Sequence, residues 1–194
     1  WSTQALLNLR ANGVTNVEYV MPFTESGYST RPSGSNGDEL DPTYCYDEWM
    51  IMTMALQDAL VSKGIRNNYK LIGPSQSEHR NNNRTVRFIE YIYEKFRGTE
   101  YEDMIDINSM HCYPNPSRSS YENTVYSPEG TYANADDDFS WFDEILVNAG
   151  VRDMEFWCDE YFTMSTDADL GDNVGMQMTQ FAAGMTAGIN NGVN

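Results

Sequence analysis

Positive charge is scarce in this chain. Of its 194 residues only three are lysine (Lys63, Lys70 and Lys95), and 12 lysines and arginines stand against 29 aspartates and glutamates, a net charge of −17. Such a surface repels phosphate backbones, so nucleic acid is not an expected partner. Histidine is scarcer still. His79 and His111 are the only two, and there is no His-x-x-x-His or Cys-x-x-Cys, so the chain carries no zinc signature and neither a metal nor another cofactor is expected. Cysteine is limited to Cys45, Cys112 and Cys158, an odd, small number that makes no disulfide framework. Buried free thiols are the expected state. No apolar run is long enough to span a bilayer, which argues against a membrane partner. A Gly-x-Ser-x-Gly elbow and a phosphate-binding glycine loop are also absent, which argues against a serine hydrolase and a nucleotide enzyme.

The first residue is Trp1, with neither an initiator methionine nor a signal peptide behind it. This reads as a processed or trimmed start to a longer product. The cysteine count is compatible with a secreted or periplasmic protein.

What is present is an alternation of helical and strand-like patterns. Thr3 to Asn12 reads as a helix with Ala5, Leu6 and Leu9 on one face, stopped at Asn12-Gly13. Val17–Phe23 reads as a strand, followed by a long polar loop over 26–42. Asp41-Pro42 opens a helix to about Ser62, with Trp49, Met52, Leu56, Ala59 and Leu60 in a stripe. Lys70–Gly73 reads as a strand closed by Pro74, Arg84–Arg97 as a helix, and Met104–His111 as a strand. A second polar loop runs to about Asn134. Asp138–Asn148 reads as a helix whose N-terminus carries Asp136-Asp137-Asp138, where carboxylates suit the dipole. Met154–Glu160 is the fourth strand. Gly171–Asn191 is the last helix, with Met178, Phe181, Ala182, Met185 and Ile189 as its apolar set.

Strands alternating with helices specify an α/β fold with a parallel sheet, because right-handed crossovers lay the helices over it. Four strands do not close a barrel, and a complete (β/α)₈ barrel takes roughly 250 residues. The order begins on a helix, as if a strand preceded it. The expectation is one α/β domain over 1–194 that forms part of a larger barrel. The rival is a small doubly wound sheet, which lacks its glycine-rich first turn.

Two carboxylates fall where such folds build sites. Glu25 follows Val17-Glu18-Tyr19-Val20-Met21-Pro22-Phe23-Thr24, and Glu160 follows Met154-Glu155-Phe156-Trp157-Cys158-Asp159. Both stand at the C-terminal ends of strands, the face that carries chemistry in parallel α/β proteins. Glu155 and Asp159 should alternate in facing from Glu160, which makes them structural or surface residues.

These segments resemble the retaining glycoside hydrolases of clan A, (β/α)₈ enzymes with the acid/base at the end of strand 4 and the nucleophile at the end of strand 7. Val20-Met21-Pro22-Phe23-Thr24-Glu25 matches strand 4, Leu71-Ile72-Gly73-Pro74 strand 5, Met110-His111-Cys112-Tyr113 strand 6, and Phe156-Trp157-Cys158-Asp159-Glu160-Tyr161 strand 7. The resemblance spans helix 3 to helix 7 of that fold. It implies an oligo- or polysaccharide substrate, Glu25 as acid/base and Glu160 as nucleophile, with Thr24, His111, Tyr113 and Trp157 contacting the sugar or supporting the carboxylates. It also implies that this chain alone lacks half of the barrel mouth, and that two copies could associate through open sheet edges. Thr24 departs from the family, which usually has asparagine before the acid/base. A shorter hydroxyl there changes the contact to the sugar 2-hydroxyl, or fits a non-catalytic carbohydrate-binding relic.

Overall fold

A computed structural model of the chain describes residues 2–24, 44–76, 88–112, 128–161 and 174–193. Helix α1 spans Ser2–Ala11, strand β1 Tyr19–Val20, helix α2 Tyr44–Ser62, strand β2 Lys70–Gln76, helix α3 Phe88–Phe96, strand β3 Ile107–Cys112, helix α4 Pro128–Ala149, strand β4 Glu155–Tyr161 and helix α5 Val174–Asn190. The four strands form one all-parallel sheet in the order β1-β2-β3-β4, flanked by helices. Tyr19 pairs with Lys70 and Val20 with Leu71. An α/β fold with a parallel sheet is therefore what this alternation of patterns produces.

The chain packs as two compact units. The first comprises residues 1–76 and 83–109, the second 77–82 and 110–194. In the first, α2 and α3 bury an aromatic cluster. Trp49 and Phe88 are both fully buried and meet edge-on at 5.5 Å, and Tyr46 stacks on Phe88 at 4.0 Å. Gly73 in β2 lies under Trp49, where a Cβ would come to 2.6 Å of the indole. Arg66, in the turn before β2, ties that turn to the segment before β3. It donates to the Tyr69 carbonyl at 2.6 Å, the Met104 carbonyl at 2.9 Å and the Asp106 carboxylate at 2.8 Å. Asp106 in turn accepts the Leu71 N–H at 2.7 Å. A planar guanidinium is suited to several acceptors at fixed angles.

In the second unit α4 and α5 pack on each other and on β4. Phe142 of α4 stacks on Phe156 of β4 at 5.2 Å. Asn191 donates to Asp136 at 2.8 Å, and Gly188 brings α5 close to Phe139. Gly184 leaves room for the Tyr161 side chain, whose hydroxyl occupies the place of a Cβ.

Several boundaries differ from the sequence reading, each for a physical reason. β1 is two residues long rather than the seven of Val17–Phe23, because only Tyr19 and Val20 find a partner strand. β2 continues through Pro74 to Gln76, since a proline removes one donor without ending a strand. β3 begins at Ile107, not Met104, because Asp106 is spent on Arg66 and the Leu71 amide. α4 begins ten residues before the expected Asp138, at Pro128. Ser127-Pro128-Glu129 is a helix-start signal, with proline at the first helical position, that the polar stretch around it hides. The three aspartates 136–138 thus lie in the third turn of α4 rather than at its N-terminus.

The apolar set expected in the core of α5 points outward. Met178, Phe181, Met185 and Ile189 are 46–69% exposed, whereas Gly184, Ala187 and Gly188 are buried. A face of small residues lets α5 approach α4 and β4 closely, so the larger side chains go to the other side. Leu9 is likewise exposed, and Leu6 alone anchors α1. The loops over 26–42 and 114–127, and the helix start at Arg84, lie outside the described residues. No helix among the described residues is long and apolar enough to cross a membrane.

Candidate functional site

The site is built where β3 and β4 end in the second unit. β3 is fully buried from Ile107 to Cys112, so His111, 1% exposed, is held by packing on all sides. β4 carries Glu155, Phe156, Trp157, Cys158, Asp159, Glu160 and Tyr161. Strict alternation would put Phe156 and Tyr161 on opposite faces. Instead Phe156 stacks on α4, while Tyr161 packs on α5 through Phe181 at 5.5 Å and Gly184. The period of two is therefore broken between them.

That break brings two consecutive carboxylates to one imidazole. His111 Nε2 lies 3.6 Å from Glu160 Oε2 and 3.8 Å from Asp159 Oδ1. Both separations are longer than hydrogen bonds. The Glu160 side chain is 51% exposed and open to a ligand, whereas that of Asp159 is 7% exposed. Asp159 is expected to alternate in facing from Glu160; instead both carboxylates lie near His111 Nε2, and the Asp159 side chain is buried rather than on the surface. At the strand end the Cys158 thiol donates to the Glu160 carbonyl at 3.5 Å.

The other expected site residues fall as follows. Trp157 is half-buried, and its indole N–H donates to Glu155 at 2.7 Å. Thr24, in the first unit, is exposed and its hydroxyl donates to Met21 Sδ at 3.4 Å. Glu25 and Tyr113 lie outside the described residues. Sequence reasoning missed Asp159 as a site residue because a broken alternation leaves no mark in the pattern of residue types. Among the described residues no group of three or more His, Cys, Asp or Glu side chains could hold a metal ion.

Below the acids lie two free thiols, Cys112 buried and Cys158 half-buried. Burial pushes the Cys158 thiol up to about 12, helped by the Asp159 charge, and burial pushes Cys112 up as well. Burial also raises the Tyr161 hydroxyl here and the Tyr93 hydroxyl in the first unit. All four groups favour their neutral forms in the folded chain. An ordinary thiol at 9.0 ionises first in the unfolded chain, so the Cys158 contribution to stability is complete below about pH 9 and is lost as pH rises toward about 12. Denaturant unfolding between pH 7 and pH 11 is expected to show stability falling above about pH 9. With its thiol pushed up and half-buried, native Cys158 should react with iodoacetamide more slowly than an unhindered thiol, as followed by mass spectrometry.

Neither a comparison with the sequence profiles of known protein families nor one with curated protein sequences finds a match to this chain.

Proposed function

We propose that this chain is the catalytic part of a retaining glycoside hydrolase acting on a β-linked oligo- or polysaccharide, and that its parallel sheet is a section of a clan A (β/α)₈ barrel. One observation carries the reading. Glu160, half exposed at the C-terminal end of a parallel strand, sits 3.6 Å from a buried histidine at the end of the neighbouring strand. That is the position from which a carboxylate can attack an anomeric carbon with a donor at its flank.

In this reading Glu160 forms a bond to the anomeric carbon as the leaving oxygen departs with a proton from Glu25. Water then attacks the same carbon, Glu25 takes its proton, and the bond to Glu160 breaks. Glu160 must be ionised to attack, and Glu25 must be protonated at the first step, which a poorly solvated site near another negative charge favours. Thr24, Tyr113 and Trp157 are the sugar contacts this reading calls for, and His111 supports Glu160. The reaction needs no cofactor. An acidic, exported enzyme meeting a polysaccharide, with self-association through open sheet edges, completes the proposal. The test is incubation of protein expressed from its complete reading frame with 2-deoxy-2-fluoro-β-glycosyl fluorides of glucose and galactose. Peptide mapping should find the sugar on Glu160. Labelling on another residue, or none with substrate turnover intact, contradicts the reading.

Thr24 favours a second reading, a carbohydrate-binding protein without catalysis. Thr24→Asn separates the two. Hydrolysis that appears or rises marks a weakened enzyme, and glycan binding with no hydrolysis in either form marks a binding module.

A further inference from the structure

Asp159 and Glu160 address the same ring nitrogen. Two negative charges beside one ring nitrogen favour a hydrogen on that nitrogen. Both contacts are to Nε2, at 3.8 and 3.6 Å. The two acids are not equivalent. Asp159 is 7% exposed and Glu160 51%, so water screens the pull of Glu160 on the ring and leaves that of Asp159 largely intact. The His111 side chain is 1% exposed and cannot turn to solvent for another partner.

We propose that Asp159 is a positioning residue that keeps the proton of His111 on Nε2 and the ring aimed at Glu160 through both halves of the reaction. This rests on the reading of Glu160 as the nucleophile. When Glu160 becomes an ester to the sugar it loses its charge, and its hold on the His111 N–H weakens. Asp159 forms and breaks no bond, and its charge is the same before and after. It therefore keeps the N–H donor in place for the second displacement, when Glu160 leaves as a carboxylate again. The break in β4 alternation is what permits this, since an ordinary strand end would send one of the two acids to the opposite face.

Imidazole nitrogen NMR on ¹⁵N-labelled protein tests it directly, because His79 and His111 are the only histidines and His79→Gln assigns the signals. The wild-type protein should show a protonated Nε2 on His111. Asp159→Ala removes the buried charge beside Nε2 and should shift the His111 nitrogen signals from their wild-type positions. Asp159→Asn, which keeps the shape without the charge, should shift them part of the way. Labelling of Glu160 by the fluoro-glycosyl fluorides should slow by up to about 100-fold in Asp159→Ala, with the concentration for half-saturation little changed. Asp159→Glu should recover part of the rate. If folded Asp159→Ala and Asp159→Asn leave the His111 nitrogen signals at their wild-type positions, the role of Asp159 is overturned. If those signals move but the wild-type protein takes no label at Glu160, the nucleophile reading fails and the positioning role fails with it. Should Asp159→Ala not fold, Asp159→Asn decides alone.

Discussion

Glu160→Ala lowers glycoside hydrolysis by about 10⁴-fold, the scale on which one member of a covalent catalytic set acts. The loss is in kcat, because the carboxylate does its work in the transition state rather than in holding the substrate. It is the same for a substrate with a poor leaving group and for an activated aryl glycoside, since both need the attacking oxygen. Glu25→Ala behaves differently. An aryl glycoside with a good leaving group needs little proton donation, so its first displacement survives while the second stalls without a base. Sodium azide separates the two roles. In Glu160→Ala the anion attacks in place of the missing carboxylate and gives a glycosyl azide of inverted configuration. In Glu25→Ala it attacks the glycosyl–Glu160 intermediate and gives the retained product. Product configuration by proton NMR reads both. Equal residual rates in the two variants, with no azide product from either, would remove both glutamates from the mechanism.

Trp49→Ala destabilises the first unit by about 3–5 kcal/mol, the range for deleting a fully buried aromatic side chain. Trp49 is 0% exposed, edge-on to Phe88, and rests against Gly73, where a Cβ would come to 2.6 Å. The backbone of β2 cannot move into the space, so the cavity persists. Trp49→Phe costs less. Its ring refills part of the volume, and it deletes an indole N–H that is buried with no hydrogen-bond partner among the described residues, a group that costs about 1–3 kcal/mol. Gly73→Ala presses on the same ring from the other side and costs about 1–3 kcal/mol by overpacking. Combined with Trp49→Phe it should cost less than the sum, because the smaller ring accommodates the methyl group. Urea unfolding of each variant measures these values, and additive costs would mean that the two residues do not press on one another.

The α/β class was legible because helical and strand patterns alternate cleanly, and crossover handedness then leaves little freedom for the sheet. Trp49, Leu56 and Leu60 were legible as core from their helical stripe, and all three are buried. The first turns of α4 were not, since Gly130, Thr131 and Asn134 are poor helix formers and outweighed Ser127-Pro128-Glu129. The face of α5 was misread because burial followed Gly184, Ala187 and Gly188 rather than the large apolar residues. Periodicity identifies an apolar stripe but does not say whether close approach or side-chain volume wins. At the candidate site, Glu160 and His111 follow from their positions at strand ends. Asp159 depends on a break in strand alternation that only coordinates reveal.

The distance between the carboxyl carbons of Glu25 and Glu160 in a crystal structure bears most directly on the proposed chemistry. A retaining glycosidase requires about 5–5.5 Å across a shared cleft. A separation beyond about 9.5 Å, or side chains on opposite faces of the sheet, contradicts it.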